Sequence, residues 1–241
     1  PWRMLEFPDK ETFWSAGAGC AQWLVKDDGT LLVPQYYCPP EMRGTGALAR
    51  STSTVVHCAF DGTQLTYLEH GDELALDVPR GCDEPSLVLF QGRYYLTIRN
   101  DEKGYVTAGD DGLHFAPLTP WTFDDGAELG SYNTQQHWLA HGDGLFLVYT
   151  RRGANNDHIF RHRAPLFIAQ VDPGRLCVIR ATERVLVPER GATLGNFGAG
   201  PITPGESWVT VGEGMFFPEV YTKGGATGAV FVARILWRPG A

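Results

Sequence analysis

Cys82-Asp83-Glu84-Pro85-Ser86-Leu87-Val88-Leu89-Phe90, then Gln91-Gly92, then Arg93-Tyr94-Tyr95-Leu96-Thr97-Ile98-Arg99 is the stretch on which the fold turns. Two runs rich in aromatic and aliphatic residues flank a two-residue turn, so it reads as a β-hairpin. A third run over 104–108, a Gly-Asp-Asp-Gly turn over 109–112 and a closing segment from His114 complete a unit of four strands. The same order precedes it: strands over 21–25, 30–37, 53–60 and 64–68, the first two joined by Asp27-Asp28-Gly29. It also follows: 136–140, the turn His141-Gly142-Asp143-Gly144, then 145–150, 159–171 and 176–187, the third of these strands carrying Arg161-His162-Arg163 near its start. A less regular fourth group holds 197–203, 207–211 and an apolar run over 228–237.

Units of about 40 to 60 residues built from four short strands are the signature of a β-propeller, in which radial repetition protects sheet edges. The reading is therefore an all-β propeller of four-stranded antiparallel blades, roughly 13–75, 80–123, 130–188 and 193–238, forming one domain over 1–241. A β-sandwich is the competing architecture. Four units can close a propeller although most have more, and an initial Pro1 in place of Met points to a trimmed chain, so the blade count stays open.

Composition agrees with a turn-rich β protein: 241 residues include 29 Gly and 16 Pro, with 43% apolar and 20% charged residues. A formal net charge of −8 argues against a nucleic-acid partner, which needs a basic face to neutralise phosphates. No apolar run approaches the roughly 18 residues of a membrane span, and the opening residues lack a charged-then-apolar leader pattern. The five cysteines are widely spaced, with no Cys-x-x-Cys pair, and read mainly as buried or free thiols, with one disulfide among the first four left open. No metal or other cofactor is expected.

Residues 82–99, followed by Ala108-Gly109-Asp110-Asp111-Gly112-Leu113-His114-Phe115, resemble the sialidase and BNR-repeat propellers. In that family a Glu-Pro begins an inner strand and an Arg ends its neighbour. Residues 108–115 are similar to an Asp-box, Ser-x-Asp-x-Gly-x-Thr-Trp, with Asp110 and Gly112 in register and Ala108, His114 and Phe115 departing from the pattern. Such a turn is structural, its carboxylate accepting backbone N–H bonds. The resemblance implies a Glu at position 84 that supports a nucleophilic Tyr, arginines that hold a carboxylate, and an extracellular or periplasmic setting.

Because strands alternate in direction within a blade, the start of each innermost strand and the end of the second share one face. That rim gathers Glu84 with Arg99, Asn100 and Asp101, then Asn133, Gln135, Gln136 and His137 with Arg151 and Arg152, then Asn196 with Glu213; loop residues Arg161, His162 and Arg163 join it. Residues 131–190 carry eight arginines against five acidic residues, so a basic excess is local to this part of an acidic chain. Arginine grips carboxylate or sulfate through two parallel hydrogen bonds. Arg99, Asn133, Gln136, Arg151, Arg152, Arg161, His162 and Arg163 are therefore the candidate substrate-binding residues, with structural ion pairing as the other reading of the arginines. Glu84, His137, Tyr149 and Glu213 are the candidate catalytic residues: Glu84 as acid/base or nucleophile partner, His137 as a second proton-transfer group. His158 and His162 are four apart, which on a strand separates them by about 13 Å and disfavours a metal site.

The expected function is cleavage of a glycosidic bond in an anionic glycan by a sialidase-like hydrolase. A polysaccharide lyase or rhamnoside-cleaving propeller enzyme, and a noncatalytic glycan-binding propeller, are the alternatives.

Overall fold

The computed structural model describes residues 4–46 and 49–238, so residues 1–3, where a leader pattern was sought, lie outside the described residues. The chain divides into two compact units, Pro1–Thr119 and Pro120–Ala241. Four antiparallel sheets in chain order form the blades of an all-β propeller fold.

The first sheet holds β1 (Ala16–Gly17), β2 (Leu24–Val25), β3 (Leu31–Tyr37), β4 (Arg50–Phe60), β5 (Leu65–His70) and β6 (Arg80–Gly81), with the path β1-β3-β4-β5. The second runs β10-β9-β8-β7, from β7 (Asp83–Phe90), β8 (Arg93–Arg99), β9 (Tyr105–Gly109) and β10 (Thr119–Pro120). Gln91 and Gly92 both take positive φ, 50° and 77°, which matches the turn to the twist of β7 and β8. Leu32, Val55, Leu87, Leu96 and Ile98 make the core of this unit, so the apolar positions of β3, β4, β7 and β8 are buried together.

The second unit begins with β11 (His137–His141), β12 (Gly144–Tyr149), β13 (Leu166–Asp172), β14 (Cys177–Val178) and β15 (Arg184–Val187). Its other sheet is β16 (Phe197–Thr203), β17 (Glu206–Gly212) and β18 (Val230–Leu236). Leu139, Val148, Leu166, Phe197, Val209 and Val211 pack as the core between these two sheets.

The strand order read from the sequence holds, with four corrections. The strand expected over 159–171 begins only at Leu166: Phe160–His162 form a 3-10 turn in which Arg161 and His162 take φ of 57° and 53°, so they cannot lie on an extended strand. The strand expected over 176–187 is broken by a second 3-10 turn, Arg180–Thr182, and both pieces pair with β13. The closing strand after His114 starts only at Thr119.

The fourth correction concerns the turn at 109–112, where Asp111 rather than Asp110 is the capping carboxylate. Its Oδ1 accepts the backbone N–H of Leu113 and of His114, each at 2.8 Å, while Asp110 reaches Arg93 at 3.6 Å. Asp61, between β4 and β5, and Asp172, the last residue of β13, cap their turns by the same two-bond pattern. Three blades thus close their outer hairpin with one device, a carboxylate replacing the peptide acceptor that the turn lacks.

Among the described residues, which include all five cysteines, no disulfide forms. Burial pushes the Cys58 and Cys82 thiols up to about 11 and about 12, which removes both from thiolate chemistry near neutral pH.

Candidate functional site

The start of β7 departs from regular pairing. Asp83 lies opposite Arg99 and Ser86 opposite Thr97, so Glu84 and Pro85 together face the single residue Ile98. This is a β-bulge, and Pro85 suits it because it has no N–H to give to a ladder. Glu84 takes φ of 42°, uncommon for a residue with a side chain. In a regular strand Asp83 and Glu84 would point to opposite faces. Here Arg99 Nη1 lies 2.7 Å from Glu84 Oε1 and 3.9 Å from Asp83 Oδ2, so the bulge turns both carboxylates toward one guanidinium.

A second arginine completes the cluster. Arg99 Nη2 donates to Asp101 at 2.9 Å, and Arg80 donates to Asp101 and to Asp83, both at 3.2 Å. Arg80 is held by its surroundings: β6 pairs in parallel with the start of β4, and a Cβ on Gly81 would stand 2.3 Å from the Ser51 carbonyl oxygen. The buried Asn100 amide donates to the Pro79 and Gly81 carbonyls, each at 2.8 Å, fixing the turn that carries Arg80.

The side chain of Arg99 is 7% exposed and that of Asp83 5%, whereas Glu84 keeps 16%. Burial raises the proton affinity of Asp83 despite the two arginines. Burial acts the same way on Asp101, but there Arg99 and Arg80 together outweigh it and hold the carboxyl below its ordinary range. Tyr36 on β3 is coupled to the cluster: burial, then the charges of Asp83 and Glu84, push its phenol up. Three carboxylates against two guanidinia leave the group formally acidic. Chemically the cluster offers in Glu84 a carboxylate able to give or take up a proton, held against buried guanidinium charge.

Glu84 and Arg99 lie in the first unit, and the remaining predicted residues lie in the second. Arg151 meets Glu183 through two parallel bonds of 2.8 Å and also donates to the Arg152 and Gly153 carbonyls. The Tyr149 hydroxyl donates to the same Glu183 at 2.6 Å; burial first, and then Glu183, hold that phenol strongly protonated. Arg152 pairs with Glu128 and lies 5.0 Å over the Tyr132 ring. His162 is bonded to the Tyr132 hydroxyl, and Arg161 lies over Phe160. Gln136 donates to the Thr134 carbonyl.

Arg163 is anchored on Asn133, donating through Nε to its side chain at 2.9 Å and through Nη2 to its carbonyl. Glu213 accepts from Arg190 and from the N–H groups of Thr227 and Ala229, at 2.8 to 3.3 Å, so both its oxygens are engaged at the base of the 213–229 loop. Arg163 and Glu213 nonetheless line one pocket of about 230 Å³, together with Asn196 and Phe216.

His137 is 3% exposed and meets Phe197 edge-on at 5.1 Å. Burial lowers its pKa from the usual 6.5 to about 4, against a smaller opposing contribution from a Phe197 backbone hydrogen bond, so the ring is neutral at pH 7. Because the folded value is the lower one, protons bind the unfolded chain preferentially. This stabilising contribution is whole above pH 6.5 and is lost as pH falls through about 4. The expected result is a loss approaching about 3 kcal/mol across that window, absent in His137→Gln. Urea midpoints of both proteins at neutral pH and near the lower limit would check it, and equal slopes would refute it.

Asp83, Arg80 and Glu183 were not singled out from sequence, whereas the pairing of Arg99 with Glu84 and Asp101 is the structural ion pairing that the sequence offered as the other reading of the arginines. Glu84-Pro85 inside a strand was the one available signal, since proline within a sheet marks an edge or a bulge.

No family model matches the chain, and no curated protein matches it in sequence. Among solved structures, a protein of unknown function from Dyadobacter fermentans aligns at a TM-score of 0.61 with 15% identity, over 90% of this chain and 52% of that one. A GH32 beta-fructofuranosidase from Bombyx mori aligns at 0.58 with 13% identity, over 95% and 49%. The GH43_1 enzyme from Xanthomonas citri complexed with xylotriose aligns at 0.54 with 14% identity, over 78% and 64%. A Trypanosoma rangeli sialidase aligns at 0.52 with 13% identity, over 87% and 30%. The chain thus spans about half to two thirds of the first three, and at these identities the likeness is one of fold. Among the described residues, no helix is long and apolar enough to cross a membrane.

Proposed function

We propose that this propeller is carbohydrate-active and cleaves a glycosidic bond, with Glu84 as its proton-transfer carboxylate. The observation that carries the reading is the bulge, which brings Asp83 and Glu84 onto Arg99 and leaves Glu84 the more exposed of the two. A strained backbone at a polar cluster is a feature that proteins keep where geometry matters for chemistry. Likeness of fold to glycoside hydrolases raises the prior for this chemistry as an analogy.

Within this reading Arg99, Arg80 and Asp101 position the carboxylates. His137, enclosed and neutral, is given no proton-transfer role in this reading. The forks of Arg99 and Arg151 are engaged by Glu84, Asp101 and Glu183, so the reading does not ask them to clamp an anionic sugar. Tyr149 and Glu213, both tied into ion-pair networks, are assigned to structure.

The test is product formation from neutral glycosides, uronides and sialosides. Release of sugar from any of them, lost in Glu84→Gln, supports the reading. Binding without turnover across the panel overturns it in favour of a noncatalytic glycan-binding propeller.

A further inference from the structure

Glu213 does more than close an ion pair. Its carboxylate accepts the N–H of Thr227 at 2.8 Å and of Ala229 at 3.0 Å, while its own N–H donates to the Ala229 carbonyl at 2.9 Å. The two ends of the 213–229 loop are thereby fastened together, and Gly214 N–H donates to the Thr193 carbonyl at 2.8 Å, tying the loop to the segment before β16. The loop presents Phe216, 55% exposed, and Phe217, 50% exposed, beside Phe160, 40% exposed; the Phe160 ring centroid lies 6.1 Å from Phe216 and 5.4 Å from Phe217. Three phenyl rings side by side in water are an unusual expense on a polar surface, and such patches mark binding sites.

Phe216 also forms one wall of the pocket of about 230 Å³ whose other walls are Arg163, Thr193, Asn196, Glu213 and glycine backbone. A Cβ on Gly214 would stand 2.4 Å from Thr193 Oγ1 and 3.1 Å from the Phe216 ring, so glycine is what lets that wall close up. Pockets for drug-sized ligands run from about 300 Å³ upward, so this one suits a single ring. One guanidinium and one carboxylate balance in charge, and Arg163 is pre-oriented by Asn133. An aromatic wall with a neutral polar rim complements a ring that has an apolar C–H face and hydroxyls at its edge.

We propose that this pocket is a binding subsite for one neutral sugar unit of a glycan, with the sugar face against Phe216 and its hydroxyls toward Asn196, Arg163 and Thr193. The subsite stands independently of the hydrolysis reading, because no step of it uses Glu84.

The experiment is saturation-transfer NMR with titration of xylotriose, lactose and sialyllactose against the full chain. Binding of xylotriose or lactose is expected, with strongest transfer to protons on one sugar face. Phe216→Ala is expected to weaken it by about tenfold, the upper range of an aromatic contact. Gly212→Leu is expected to abolish it: Gly212 lines the pocket, and a Cβ there meets nothing within 4 Å, so the backbone accepts a side chain that takes up pocket space. Glu84→Gln is expected to leave binding unchanged, which separates failure of this subsite from failure of the catalytic reading. No binding by either neutral sugar, binding unaltered in Gly212→Leu, or a more than tenfold preference for sialyllactose overturns the proposal. So does a change of oligomeric state in Phe216→Ala, which would make the phenyl shelf a contact between copies.

Discussion

Arg99→Met is expected to lower the unfolding free energy by about 3–5 kcal/mol, the cost of breaking a buried ion pair by removing one partner. Asp83 and Glu84 would remain with side chains 5% and 16% exposed and without the guanidinium that lies against both. Arg80 reaches Asp83 and Asp101 but is itself 39% exposed, so it compensates in part. Unpaired, these buried carboxyls would bind protons more readily when folded than when unfolded. A raised folded value gives stability that is present at low pH and lost as pH rises, so the penalty should shrink as pH falls from 7 toward the ordinary carboxylate range. Adding Asp83→Asn to Arg99→Met should recover part of the loss, because it removes the most buried of the stranded charges. Urea denaturation at two pH values measures all of this. A penalty below about 1 kcal/mol, as for an exposed pair, would show that the cluster is not a buried network.

Glu84→Gln is expected to lower turnover by about 10²- to 10⁴-fold, the range attributed to one positioned proton-transfer group. The substitution keeps the side-chain length and an oxygen that can still accept from Arg99. Its effect should therefore fall on turnover far more than on substrate affinity or thermal stability. Glu84→Ala would not be as informative, since it also removes one of the carboxylates that hold Arg99, whose side chain is 7% exposed. Turnover within a few-fold of the unaltered protein would remove Glu84 from the mechanism, and a parallel fall in melting temperature would reassign it to the structural network.

The hairpin around Gln91-Gly92 was legible in sequence because its two runs and its turn use local chemistry: extended-strand residues on either side of two positions that accept positive φ. The order of strands in each unit was legible for the same reason. The turn carboxylate was misplaced by one residue, since Asp110 and Asp111 have the same chemistry and only the path of the backbone selects between them. Arg161-His162-Arg163 also misled, because an apolar run beyond them masks a tight turn that is held by side-chain contacts: Asn156 donates to the carbonyls of Arg151, His162 and Ala164, and Arg163 donates to Asn133, 30 residues before it.

The candidate site was legible only in outline. Glu84 and Arg99 could be matched because each sits at a strand end on adjacent β7 and β8, a juxtaposition that the hairpin itself implies. Asp83 could not, because the period-two rule assigns it to the opposite face, and only the bulge overrides that rule. The engagement of Arg151 by Glu183, and of Glu213 by backbone groups of residues 227 and 229, decides whether those charges are available to a ligand. Sequence by itself therefore determined the all-β class, the strand order and the residues able to do chemistry, since these follow from local patterning. Tertiary structure alone decided which charges are already neutralised, which histidine is enclosed and which aromatic rings stay in water, because those depend on partners from other strands and loops, such as Glu183 for Arg151, 32 residues away, Phe197 for His137 and Phe216 for Phe160.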